Sequence, residues 1–152
     1  MVEIDQIDRK ILRELQRDTT RSLDEVADLV GLSRNAVWRR VRLLEQAGVI
    51  RDRVALLDPE KLGLGLTVFV QVRTSSHDPD WLTKFARAMR DTPEVLGAYR
   101  MTGDLDYLIR ARVGSVQDYD RFYQRLIARL PLSDVSASFV MEEIKETTEL
   151  PV

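Results

Sequence analysis

The stretch SLDEVADLVGLSRNAVWRRVRLLEQAGVI, residues 22–50, leaves the chain few conformational choices. Ser22 followed three residues later by Glu25 is a capping box, in which hydroxyl and carboxylate satisfy backbone N–H groups that a helix start leaves unpaired. Val26, Leu29 and Val30 recur as an apolar stripe at helical spacing, and Ala27 is small enough for a second helix to approach closely. Gly31 stands where this short helix must stop, because glycine enters the left-handed region without the steric cost of a Cβ. Ser33 caps the next helix. So short a turn joins two steeply crossed helices, a helix-turn-helix.

The second of these helices decides the chemistry. With about 100° per residue, Val37, Val41 and Leu44 fall on one face and form a buried seam. Asn35, Arg39 and Arg42 then point the opposite way, with Arg34, Trp38 and Arg40 on the flanks. From Arg34 to Arg42 there are four arginines and no acidic residue. Arginine binds phosphate and the guanine edge bidentately, and asparagine does the same for adenine. A cationic helix by itself is also what an ordinary solvated face looks like. The cap, the glycine turn and the seam beside it favour double-stranded DNA, with Ser33, Arg34, Asn35, Trp38, Arg39 and Arg42 as the DNA-binding candidates. Trp38 is left between packing on the first helix and resting on the DNA backbone.

A net charge of −2 argues against DNA only until it is divided along the chain. Residues 1–54 hold 11 Lys and Arg against 10 Asp and Glu, and residues 55–152 hold 12 against 15. Positive charge is therefore local, and phosphate is met by a patch rather than by the whole protein. With no cysteine and one histidine, the 152 residues offer no disulfide framework and little for zinc or imidazole catalysis. No metal or cofactor is expected. No apolar run approaches the roughly 18 residues of a membrane span, and the polar N-terminus does not read as a signal peptide. A cytoplasmic protein is the expectation.

Asp5 caps a first helix to about Arg17, whose apolar face is Ile4, Ile7, Ile11, Leu12 and Leu15. Three helices are the minimum that buries elements this short. After Gly48, Val49, Ile50 and then Val54–Leu57 read as extended chain, a wing strand, a connector or both. Asp58-Pro59 and the glycines of KLGLGL mark a boundary. Beyond it, Thr67–Arg73 has strand composition, and Asp78-Pro79 opens a helix to about Arg90 that buries Trp81, Leu82, Phe85 and Met89. Strands over Val95–Met101 and Asp106–Val113 flank a Thr102-Gly103-Asp104 turn. A helix over Val116–Leu130 buries Tyr119, Phe122, Tyr123, Leu126 and Ile127, and Val135–Ile144 closes as a strand. The order βαββαβ is that of the ferredoxin-like fold. The fold class is thus α+β: a three-helix (winged) helix-turn-helix domain over 1–54, a linker over 55–65, and a ferredoxin-like domain over 66–152.

These motifs in this order, IDRKIL, LSRNAVWRRVRLLEQAGVI, LDPEKLGLGL, TGDLDYLI and SFVMEEIKETTELP, closely resemble the Lrp/AsnC family of bacterial and archaeal transcription regulators. The resemblance spans Ile4 to Pro151. It implies an N-terminal DNA-binding domain and a C-terminal domain that forms a homodimer, often builds octamers, and senses a small amino acid. It also implies an effector site at the TGDLDY turn, lined by Thr102, Gly103, Asp104 and Asp106, with Tyr107 adjacent and Ser136 and Ser138 contributing from the last strand. The chemistry suits the ligand: backbone N–H groups of a glycine turn receive a carboxylate, and aspartate pairs with an ammonium. The same Gly-Asp pair also serves an ordinary hairpin turn.

An enzyme on this architecture is the competing class, because a tetrapyrrole decarboxylase group resembles the same family. That group relies on histidines near its pocket and lacks a credible DNA helix, whereas here the arginine helix is intact. His77, the single histidine, lies between serines and aspartates and reads as a loop residue. A protein that coats DNA without sequence preference is a further alternative, compatible with the first.

Overall fold

The computed structural model describes residues 3–74, 78–130, 132 and 134–152. His77 lies outside these. The chain divides into two compact units, one of Met1–Leu56 with Lys145–Val152, the other of Leu57–Ile144.

The first unit is built on α1 (Gln6–Arg17), α2 (Leu23–Val30) and α3 (Arg34–Gln46). Each start is capped as its sequence requires. Asp5 and Asp8 form a reciprocal capping box on α1, Ser22 and Glu25 do so on α2, and the Ser33 hydroxyl accepts from the Ala36 N–H. Gly31 ends α2 at φ 71°, ψ 40°, and the Leu32 N–H then returns to the Ala27 carbonyl at 3.0 Å. Ile11, Leu15, Val26, Ala27, Val37 and Val41 form the core. Burying aliphatic side chains of this size contributes about 1.5–3 kcal/mol each. Leu29, expected in the stripe of α2, is instead exposed. It lies two residues, about 200°, beyond Ala27, which takes the inward position.

No strand stands between α3 and the turn at Asp58: Arg51–Asp58 carry neither helix nor sheet pattern, so this segment is a connector and not a wing. A compact turn comes next. Asp58 Oδ1 accepts from the N–H groups of Glu60 and Lys61, and the Leu64 N–H reaches the Pro59 carbonyl at 2.7 Å.

In the second unit, β1 (Leu66–Arg73), α4 (Pro79–Arg90), β2 (Val95–Arg100), β3 (Tyr107–Val113), α5 (Val116–Arg129) and β4 (Asp134–Phe139) make an antiparallel sheet of order β2-β3-β1-β4. One face is the core: Val68, Val70 and Val72 of β1 with Tyr107, Ile109, Ala111 and Val113 of β3, covered by Trp81, Phe85 and Met89 of α4 and Phe122 and Leu126 of α5. Trp81, Phe85 and Tyr107 meet with ring centroids 4.4–5.4 Å apart. Ile127 is not part of this core and is exposed; five residues past Phe122 it has turned about 140° away. The opposite face, with Phe69, Gln71, Tyr99 and Leu108, is covered by neither helix.

The last strand stops at Phe139 rather than Ile144. The Val140 N–H still reaches the Thr67 carbonyl at 3.0 Å, near the start of β1, and beyond it Met141 and Ile144 are almost fully exposed. The strand ends because its partner begins there.

A close approach fixes the turn before β1. A Cβ on Gly114 would lie 2.6 Å from the Gly63 carbonyl oxygen and 3.0 Å from Asp118 Oδ2. Gly114→Ala is expected to cost about 1–3 kcal/mol by overpacking, read as a lower urea midpoint. An unchanged midpoint would mean that this approach is not maintained in solution.

The caps also set an acid limit. The Asp5 carboxyl is held below the usual range by the backbone N–H of Asp8 and then by Arg40, that of Glu25 by the Ser22 N–H, and that of Asp118 by the Ser115 hydroxyl. Depressed folded-state values mean that the stability they add is complete above about pH 4 and is lost as pH falls through those values. Urea midpoints between pH 7 and pH 2 are expected to stay level on this account at first and then drop below about pH 4. A midpoint unchanged down to pH 2 would show these caps to be without weight.

Candidate nucleic-acid interface and effector turn

Helix α3 presents two chemically distinct sides. Val37, Val41 and Leu44 are at most 4% exposed. Ser33, Arg34, Asn35, Trp38, Arg39 and Arg42 are all exposed, so the six DNA-binding candidates share the outward surface of one element. Two of the arginines are loosely held: Arg34 Nε is 3.4 Å from Asp24 and Arg42 3.9 Å from Glu45, on side chains more than half exposed. Pairs so open to solvent are worth little and can exchange for phosphate. Among the described residues Arg39 makes no ion pair.

Arg40 is different. Its Nη1 donates to Asp5 Oδ2 and to Asp8 Oδ1, both at 2.8 Å, and Asp8 is buried. The two carboxylates, Asp8 first, hold the guanidinium still more firmly protonated. Arg40 therefore latches α3 to the start of α1. Position alone hints at this, since Arg40 lies only about 60° from the seam through Val37. The reach to an acidic pair on another helix does not show in the sequence.

The hairpin between β2 and β3 carries the second candidate site. Thr102, Gly103 and Asp104 are exposed, and Gly103 adopts φ 99°, a region closed to most other residues. Arg73, at the end of β1, donates through Nε to the Asp104 carbonyl at 2.8 Å and pairs through Nη1 with Asp134 at 2.9 Å. Sequence reasoning missed Arg73, because its role depends on a strand register that places Asp134 opposite it. Asp106 is already engaged: its carboxylate accepts from the Thr74 N–H at 2.8 Å, and its N–H donates to the Val72 carbonyl at 3.1 Å.

The remaining effector candidates are dispersed. Ser136 and Ser138 follow Asp134 on the uncovered face of the sheet, one and two side-chain repeats away, roughly 7 and 13 Å. Ser136 Oγ lies 3.4 Å from Gln71 Oε1. Tyr107 faces the other way, buried beside Trp81 and Phe85. Alternation along β3 puts it in the core and turns its neighbour Leu108 to the open face. Among the described residues no group of acidic or histidine side chains is arranged to hold a metal. Among the described residues no helix is long and apolar enough to cross a membrane.

Comparison with known proteins finds relatives over nearly the whole chain. Residues 4–45 match the AsnC-type helix-turn-helix domain, and residues 67–150 match the Lrp/AsnC ligand binding domain. The chain is 49% identical over 150 residues to the DNA-binding transcriptional activator DecR of Escherichia coli, covering 98% of this chain and 99% of that protein. It superposes on an AsnC family transcriptional regulator from Agrobacterium tumefaciens with a TM-score of 0.94 and 52% identity, over 97% of this chain and 96% of the other. A transcriptional regulator from Neisseria meningitidis, solved as its L-Met complex, gives a TM-score of 0.94 at 37% identity, over 98% and 97% of the two chains.

Proposed function

The chain belongs to the Lrp/AsnC family and is a DNA-binding transcription regulator, and on that premise we propose that its DNA affinity or assembly answers to a small amino acid. Helix α3 enters the major groove. Arg39 and Arg42 contact bases or phosphates, Asn35 reads a base edge, Ser33 and Arg34 hold the backbone at the helix start, and Trp38 rests against the DNA. The observation that carries this reading is the two-sided α3, with its seam buried and its cations turned outward.

The effector binds at the turn of Thr102–Asp104. Backbone N–H groups around Gly103 receive its carboxylate, and the exposed Asp104 carboxylate pairs with its ammonium. Asp106 shapes the turn through Thr74. Arg73 steadies it from the neighbouring strand. Support comes from the Neisseria relative, which was solved with L-Met. The chain forms a homodimer through the uncovered sheet face, where Phe69, Leu108 and Tyr99 stand among polar groups, and the dimers build toward an octamer. Relatives in the family are transcription regulators rather than enzymes, and the decarboxylase alternative finds no support among them. We read this chain as non-catalytic too, and as a cytoplasmic protein.

Calorimetry with L-methionine and then the other amino acids tests the effector reading. Asp104→Ala is expected to weaken the best ligand by tenfold or more, from losing a charge-assisted hydrogen bond of about 1.5–3 kcal/mol, while DNA binding without ligand persists. Equal affinity in wild type and variant would leave the turn as plain structure.

A further inference from the structure

The chain leaves the first unit at the connector and then comes back to it, since residues 145–152 cluster with Met1–Leu56. Both ends of the returning segment are fastened. At its start the Glu143 carboxylate accepts from the Thr67 hydroxyl at 2.9 Å and pairs with Arg112. Seven residues on, Leu150 is clamped to α1. Gln16 Nε2 donates to the Leu150 carbonyl at 3.1 Å, and Gln16 Oε1 accepts the Leu150 N–H at 2.7 Å. A carboxamide bonded in both senses reads a peptide backbone much as a neighbouring strand does, whatever the side chain. Thr148, Leu150 and Val152 also line a cavity of about 900 Å³ together with Leu12 and Leu15 of α1 and the connector residues from Val49 to Leu56.

We propose that residues 145–152 are a strap, a second tether that restrains the DNA-binding unit and is fastened or released at Gln16. The path from Glu143 to Leu150 is at most about 25 Å long, even fully extended. The connector Arg51–Asp58 has no helix or sheet bonding of its own, and a single stretch of chain leaves rotation about it open. A second short link at another point removes rotation about the first. In an assembly carrying two such units, which rests on the homodimer reading above, a fastened strap raises the effective concentration of the second unit at a two-half-site DNA.

Two substitutions open the clamp from opposite sides and leave the fold unburdened. Gln16→Ala keeps a good helix former in α1, and Leu150→Pro removes the tail's N–H. In the full-length protein, hydrogen exchange over residues 145–152 is expected to quicken roughly tenfold in Gln16→Ala, and trypsin to cut after Arg51 and Arg53 roughly tenfold faster in both variants. Both variants are further expected to bind a DNA with two half-sites about tenfold more weakly than wild type, and a single half-site equally well. Unprotected amides in the wild-type tail, or unchanged cleavage in both variants, would overturn the strap. Neither readout requires DNA or an effector. A failure of the DNA arm alone, with protection and cleavage as expected, would overturn the strap's part in two-site binding. Sedimentation of the same samples shows whether the homodimer reading failed instead.

Discussion

Arg39→Ala combined with Arg42→Ala is expected to abolish useful DNA binding while leaving the first unit folded. Both side chains are exposed and neither touches the Val37–Val41–Leu44 seam, so no core packing is lost. An arginine reading a base contributes about 1–3 kcal/mol, and two lost together reduce affinity by on the order of a hundredfold or more. The single variants separate two roles. A base contact relaxes specificity at one position of the site, whereas a phosphate contact weakens all sequences alike. Gel-shift titrations on a promoter fragment and on random DNA, with far-ultraviolet circular dichroism as the folding control, give the answer. Wild-type affinity in the double variant would remove α3 from the interface.

The second large effect lies in the other unit. Phe122 is 1% exposed and is the bulkiest of the fully buried side chains among the described residues. Phe122→Ala removes a ring from between α5 and the sheet and leaves a cavity that a β-sheet cannot readily close. The expected loss is about 3–5 kcal/mol. At about 4–8 °C per kcal/mol for a unit of this size, the unfolding midpoint falls by more than 10 °C. Trp81, in the same hydrophobic cluster, reports it by fluorescence once Trp38 is replaced by phenylalanine. A shift of only a degree or two would mean that α5 packs differently in solution.

Local signals account for what the sequence made legible. Caps at Asp5, Ser22, Ser33 and Asp78, the glycine stop at Gly31 and the 3.6-residue spacing of the α3 seam act within a few residues, and each is realised. The order of strands and helices in the second unit is of the same kind. Failures came where a distant partner decides. Ile144 looked like strand, but pairing runs out at the start of β1. Val49, Ile50 and Val54–Leu57 read as extended, yet none of them pairs as a strand that could form a wing. Within the candidate sites, the outward side of α3 followed from periodicity. The separation of Tyr107 from the Thr102–Asp104 turn, and the capture of Asp106 by Thr74, depended on strand alternation and register that no local pattern encodes.

The latch at Arg40 has a consequence for how binding responds to salt. Four arginines stand between Arg34 and Arg42, but one of them is held from within by Asp5 and Asp8 and is not free to neutralise a phosphate and release the counterions condensed on it. Each phosphate neutralised on duplex DNA lowers the slope of log affinity against log salt by about 0.9. If each of the other three arginines meets a phosphate, the helix supplies about −2.7 per DNA-binding unit, against about −3.6 from a count of its arginines. Asp5→Asn with Asp8→Asn would free the fourth cation and steepen the slope toward the larger value. Folding and ionic-strength sensitivity are thus set by the same pair of carboxylates, which stand at the start of α1 and not on the helix that carries the cations.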